Sequence, residues 1–249
     1  MTRVVVLLPP SERKAAGGDR ARRPGAFASL ERDRARVRKA LRRRDFDVGQ
    51  LGVGPAATRS AMELNRAVDD APCLPALWRY TGVLYEALDV AGAPAGLRAA
   101  LDRDVVIVSG LWGAVRGDDP VPAYKLPIGA RVPTLGRLAA WWRPRLTPVI
   151  GEHARGAVVW NLLPAAYAAA VGPLDGAAAV WTVRVVREAG GRRTVVGHDN
   201  KTVKGALARV LVDGQVRGPH GLDGWVGPGG YRVAGDAGGE VELVVRGDR

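Results

Sequence analysis

A chain of 249 residues with 47% hydrophobic side chains is long enough to bury a sizeable core. Its formal charge of +12 at pH 7 points to a polyanionic partner. The composition excludes collagen-like, coiled-coil and disordered classes, and no apolar run approaches the ~18 residues of a membrane span.

The charge is unevenly spread. Residues 13–44 hold thirteen Arg or Lys against three Asp or Glu, which accounts for most of the excess. Arginine is the default cation, thirty-two against five lysines. The lone cysteine, Cys73, rules out an intramolecular disulfide and a cysteine metal cluster, and fits a reducing compartment. A cytoplasmic location is therefore expected.

In chain order, Val4–Leu8 is a continuous apolar run that predicts a buried strand, stopped by Pro9 and Pro10. It is too short for the core of a signal peptide. A polar turn follows, Ser11 to Lys14, and then a Gly- and Pro-bearing loop. Ser29 is placed to cap a helix running to about Arg44, with Leu30, Val37 and Leu41 on one face and Arg or Lys over most of the rest. That surface is either a solvated face or a phosphate-contacting one, in which Arg36, Lys39 and Arg43 would touch a DNA backbone. Thr58–Val68 and Ala76–Leu88 read as helices. Val105–Val108 is a second short strand, passing into a glycine-bearing turn at Ser109.

The stretch from Ser109 to Gly129 reads as a long structured loop rich in Trp, Tyr, Arg and Asp. It is either a pocket wall or a packed crossover. A helix over Thr134–Trp142 should be limited by Pro144. Ala157–Trp160 is a third strand ending at Asn161, and Asn161 with Tyr167 is placed near the same strand ends. Ala178–Arg187 predicts a longer strand and Thr202–Val212 a helix. Gly218–Gly230 is a glycine-rich loop before short strands at Tyr231–Val233 and Val241–Val245. Strands and helices mix without a visible linker, so one mixed α/β domain over residues 1–249 is expected.

The motifs of dinucleotide, P-loop and nucleophile-elbow sites are absent from the sequence. His153, His198 and His220 are far apart, so neither a metal nor a cofactor is expected. The lysines are more informative. Lys14 follows the first strand, Lys125 lies beyond the second, and Lys201 and Lys204 open a helix. They could converge on one anionic group or be scattered by chance. A cation at a helix start opposes the helix dipole unless an anion sits between them.

Six segments, taken in order, resemble one family. They are LLPPSERK (7–14), WRYTGVLYEAL (78–88), VSGLWGAVRGDDPVPAYKLPIG (108–129), VVWNLLPAAY (158–167), NKTVKGALAR (200–209) and LDGWVGPGGYRV (222–233). The set resembles the YaaA peroxide stress protein family, also described as DUF328 or UPF0246, across essentially the whole chain. The resemblance implies a single mixed α/β domain with a central mixed sheet and a positively charged cleft. It also implies a role in protection from hydrogen peroxide, limiting oxidative DNA damage and free iron, with binding of double-stranded DNA. By resemblance Lys14, Arg116, Asp119, Tyr124, Lys125, Tyr167, Lys201 and Lys204 are cleft candidates. This sequence departs from the family pattern at Pro127 and Ala166, where the family carries acidic residues. That weakens a carboxylate-based mechanism. The expected protein is a DNA-binding monomer without a membrane partner. The alternative is an enzyme acting on a nucleotide or another anionic small molecule at a lysine-lined site.

Overall fold

The computed structural model describes residues 2–19, 25–43, 55–189, 192–195 and 199–246. Three continuous apolar runs form the centre of the sheet: β1 (Val4–Leu8), β3 (Val105–Ser109) and β8 (Val158–Asn161). Every residue of β1 and β3 is buried, as strands covered on both faces must be. Between β1 and β3 come α1 (Glu31–Leu41), α2 (Pro55–Arg66), β2 (Cys73–Pro75), α3 (Ala76–Arg79), α4 (Val83–Leu88) and α5 (Ala95–Asp104). After β3 the chain makes β4 (Gly113–Arg116), β5 (Pro120–Pro122), β6 (Arg131–Val132), β7 (Gly136–Arg137) and α6 (Leu138–His153), which leads into β8. Then follow α7 (Ala165–Val171), β9 (Ala179–Ala189), β10 (Arg192–Val195), α8 (Asp199–Asp213), β11 (Arg232–Ala237) and β12 (Glu240–Arg246).

Among the described residues the main sheet has eight strands in the order β11-β12-β9-β8-β1-β3-β4, with β10 also paired to β9. Pairs β3–β1, β1–β8, β8–β9 and β9–β12 are parallel, while β3–β4, β9–β10 and β11–β12 are antiparallel. The fold is thus one mixed α/β domain. The chain leaves β1 for β3 on one side and returns through α6 to β8 on the other. Right-handed crossovers to opposite sides place α5 and α6 on opposite faces. The packing agrees: α8 lies against α4, α5 and β1, while α6 lies against α7. Beta1 is therefore the point where strand order reverses, and ligands of open α/β sheets bind beyond the carboxyl ends of such strands. No helix among the described residues is long and apolar enough to cross a membrane.

Three helices differ from the sequence expectation. Ser29 is not a cap: Ala28–Leu30 is a 3₁₀ turn, and α1 starts at Glu31 without a side-chain cap. The basic surface of α1 is also narrower than the pattern implied. Arg34 and Arg38 are buried on the stripe of Leu30, Val37 and Leu41. Arg34 donates from Nε to the Trp112 carbonyl at 2.9 Å and from Nη2 to that of Ala114 at 2.7 Å. Arg38 pairs with Glu31 at 2.9 Å and Asp69 at 2.8 Å, over the Trp112 ring. The residues from 44 on that the expected helix included lie outside the described residues.

The expected helix 76–88 is two helices. Gly82 breaks it at φ 113°, a backbone region that side chains oppose. In contrast, α6 runs on through Pro144 and Pro148. The carbonyls left without a donor belong to Ala140 and Pro144, which are exposed, so water reaches them. Leu138, Trp142, Leu146 and Ile150 hold the opposite stripe in the core.

The stretch 109–129, expected as a loop, carries two short strands. Beta4 returns antiparallel to β3, and β5 pairs with β2.

Candidate functional site at the strand ends

A cavity of about 520 Å³ opens where β1 and β8 end. Pro9 to Arg13 follow β1, and Leu162 and Pro164 follow β8. The Leu7 carbonyl accepts the Leu162 N–H at 3.1 Å, which holds the two exits side by side. Gly82 to Tyr85 from the start of α4, Tyr167 from α7, and Asn200, Lys201 and Lys204 from α8 complete the wall.

Each wall is fixed by ordinary chemistry. Tyr85 donates its hydroxyl to the Pro9 carbonyl at 2.8 Å. Ser11 Oγ donates to the carbonyl of Thr81. Asn161 Oδ1 accepts the Leu163 N–H at 3.1 Å, shaping the turn that presents Leu162 and Pro164. Helices α4 and α8 touch because residue 205 is glycine. A Cβ there would fall on the Leu84 carbonyl and lie 2.9 Å from Ala87 Cβ. Gly205→Ala should therefore cost about 3 kcal/mol. Urea denaturation would show it as a lowered midpoint, and a loss below about 1 kcal/mol would contradict the close approach.

Lys204 is the buried cation of this wall, with 7% exposure. Its Nζ donates to the Leu162 carbonyl at 3.1 Å. Burial lowers its pKa from 10.5 to about 8. Lys201 lies one turn earlier on the same face and is exposed. Arg13, also in the wall, pairs with Glu86 at 3.1 Å, and Glu12 adds an exposed carboxylate.

Behind the Ser11–Arg13 wall stands Lys14. Its Nζ donates to the Ser11 carbonyl at 2.8 Å and lies 4.2 Å from the ring centre of Tyr124 and 5.5 Å from that of Tyr80. Burial lowers its pKa to about 7; Glu12 opposes that shift, while Lys125 and Arg79 add to it by repulsion. A buried hydroxyl chain lies below. Ser109 Oγ accepts the N–H groups of Leu111 at 3.2 Å and Trp112 at 3.1 Å. Its lone pairs are then filled, so its proton goes to Tyr124, 2.6 Å away. Tyr124 OH is in turn 2.8 Å from Tyr80 OH. Burial raises the pKa of both tyrosines, so both are neutral.

The structure gathers part of the residue set expected from sequence. Lys201, Lys204 and Tyr167 line the cavity, and Asn161 orders its edge. Lys14 and Tyr124 sit behind it. Lys125 is near Lys14, with its backbone held by Asn65 through bonds of 2.9 and 2.8 Å. Arg116 and Asp119 are not brought there. Arg116 faces Val106 at the start of β3, the end of the sheet opposite the cavity. It pairs with Asp118 at 3.2 Å, and Asp119 accepts the N–H groups of Ala26 and Arg116 at 2.9 and 2.8 Å. These residues tie a loop to the β4–β5 turn.

Arg36 and Lys39 on α1 and Arg43 just beyond it are exposed, with Arg36 3.4 Å from Asp33. Arg34 and Arg38 anchor this helix on Trp112, at the end of the sheet where the cavity opens. His198 lies outside the described residues. Among the described residues no group of three or more His, Cys, Asp or Glu is placed to hold a metal ion.

Sequence reasoning missed Tyr85, Glu12, Arg13 and Ser109. Tyr85 and Ser109 lay in segments already singled out, but only the break at Gly82 and the turn after β3 bring them to the site.

The chain matches known proteins over most of its length. The family model described as peroxide stress protein YaaA matches residues 4–237, from β1 through β11. A UPF0246 protein of Streptomyces coelicolor is 37% identical over 217 residues, 84% of this chain and 83% of that protein. UPF0246 proteins of Corynebacterium glutamicum and Corynebacterium efficiens are 34% and 35% identical, each over 84% of both chains. With a match that spans the central strands, the cavity walls and the lysine-bearing helix, the chain belongs to the YaaA peroxide stress protein family.

Proposed function

We propose that this protein serves the peroxide stress response by binding DNA, through the cationic end of the sheet where the cavity opens. The observation that carries this reading is a set of lysines outside any ion pair. Among the described residues, Lys14, Lys125, Lys201 and Lys204 form no ion pair, although acidic residues hold many of the arginines. Cations that outnumber the acidic groups beside them, with Glu12 next to Lys14, are an arrangement that an external polyanion completes. The exposed Lys39 on α1 and Arg43 just beyond it, on a segment anchored at Trp112, would extend that surface.

Fluorescence anisotropy with a labelled duplex tests the reading. With three to four phosphate contacts, log K should fall with log salt at a slope of about −3. Replacing Lys39 and Arg43 by Gln should make that slope shallower by about 2 while leaving sequence preference unchanged. Absence of binding at low salt, or affinity indifferent to salt, would reject it.

A second reading is favoured by the cavity itself. Its volume of about 520 Å³ lies in the range of small-molecule sites, ~300–1,000 Å³, and is too small for a duplex. A protein acting on a nucleotide or another small anion would use Lys201 and Lys204 of its wall.

A further inference from the structure

The cavity differs from a plain cationic groove. Most of its wall is apolar and flat: Pro9, Pro10, Tyr85, Leu162, Pro164 and Tyr167. Its cations come from one side, where Lys201 and Lys204 stand on α8. Glu12 and the Arg13–Glu86 pair come from the loop after β1 and from α4, so that side has no cation to spare.

Two polar groups in the wall have unmet capacity. Lys204 carries three N–H donors and gives one to Leu162. Asn200 has an amide oxygen shielded from water and without a hydrogen-bond partner. Such groups are costly unless a ligand supplies the partner.

We infer that this cavity is a single-nucleotide pocket that takes one nucleoside monophosphate unit, with its phosphate on Lys201 and Lys204 and its base against the proline and tyrosine wall. The phosphate accepts from the Lys204 donors that the protein leaves over and lies beside the exposed Lys201. Asn200 Oδ1 accepts an N–H or O–H of the ligand. A ring is held by Tyr85, Tyr167 and the prolines, which offer flat apolar surface of known orientation. Glu12 accepts a base N–H and repels further phosphates, so a monophosphate is preferred to a triphosphate. This deepens the reading of the strand-end lysines as a phosphate site and rests on it. The unit could be a free nucleotide or one extruded from a DNA strand, since both present the same groups.

Calorimetric titration with deoxyguanosine monophosphate, deoxyguanosine and inorganic phosphate tests the pocket. The monophosphate should bind at one site per chain, with the nucleoside and inorganic phosphate each weaker by about tenfold or more. Lys204→Met should weaken the monophosphate by about tenfold to a hundredfold. Lys201→Ala, at an exposed position where folding is not at stake, should weaken it by about threefold to tenfold. Equal binding of all three probes, no binding of the monophosphate, or affinity unchanged in both variants overturns the proposal.

Competition against two labelled duplexes, one fully paired and one with a bulged nucleotide, separates the sources. Displacement of the bulged duplex alone assigns the pocket to an extruded nucleotide. Displacement of neither, with the monophosphate bound, assigns it to a free one. A protein that binds the monophosphate but no duplex rejects the DNA reading and leaves the pocket standing.

Discussion

Arg79→Met should cost about 4 kcal/mol of folding stability, the largest loss expected of a single substitution at this end of the molecule. Arg79 is 1% exposed, yet among the described residues it pairs with no carboxylate. Its guanidinium instead binds main-chain carbonyls from three segments. Nε donates to Val121 at 2.9 Å, and Nη2 donates to Gly17 and Pro72, each at 2.8 Å. Nη1 donates to Ala15. Methionine fills a similar length but leaves these oxygens buried without donors. Lysine keeps the charge but has one nitrogen and three donors, so Arg79→Lys should recover less than half of the loss. A urea midpoint lowered at unchanged slope is the expected result, and a loss under about 1 kcal/mol would show that water replaces the side chain. The consequence reaches the site. The Ala15 N–H donates to the Arg79 carbonyl at 2.9 Å, and Lys14 bridges to Tyr80. Loosening residues 15–17 therefore frees the lysine that stands behind the cavity wall.

The parts of this molecule legible in the sequence are those where one physical cause dominates. Beta1, β3 and β8 are buried on both faces, so their residues must be apolar in succession, and the runs at 4–8, 105–108 and 157–160 show it. Their neighbours were less legible because two causes compete. Pro144 should stop a helix, but the stripe Leu138, Trp142, Leu146 and Ile150 buries enough surface to carry α6 past it. In α1 the charges looked like a solvated or DNA-facing surface. Arg34 and Arg38, however, fall four apart on the apolar stripe itself, and, Glu31 apart, the partners that make their burial tolerable lie some thirty to eighty residues away. Charge in sequence states how many cations there are, not which are already occupied. Lys14, Lys125, Lys201 and Lys204 were easier to place, because each followed a strand end or opened a helix. Arg116 and Asp119 were in the same conspicuous segment as Tyr124 and Lys125. The β3–β4 hairpin turns that segment round, so its members reach opposite ends of the sheet. Nothing short of strand pairing reveals that reversal.

Lys204→Met should do two opposite things: stabilise the protein by about 2 kcal/mol at pH 7 and weaken nucleoside monophosphate binding in the cavity by about tenfold to a hundredfold. The gain follows from the cost of burying an ammonium with one carbonyl partner. With its pKa held at about 8 in the fold against 10.5 when free, that cost is roughly 3 kcal/mol at about 1.4 kcal/mol per pH unit. Below about pH 8 the folded and unfolded chains both carry the proton, so the penalty is felt in full. Between about 8 and 10.5 the unfolded chain keeps the proton that the folded chain has released, and stability rises with pH. Lys14, held at about 7, contributes a slope of the same sign that survives in the variant. The advantage of Lys204→Met should therefore be greatest at neutral pH and fade toward pH 10.5, as read from urea denaturation at a series of pH values. A nucleoside monophosphate should raise the melting temperature of the wild-type protein more than that of the variant at the same ligand concentration. Should the variant be less stable at every pH, the lysine would be serving the fold. Stability given up at this position, and recovered only when an anion is bound, is what a lysine kept for a ligand predicts.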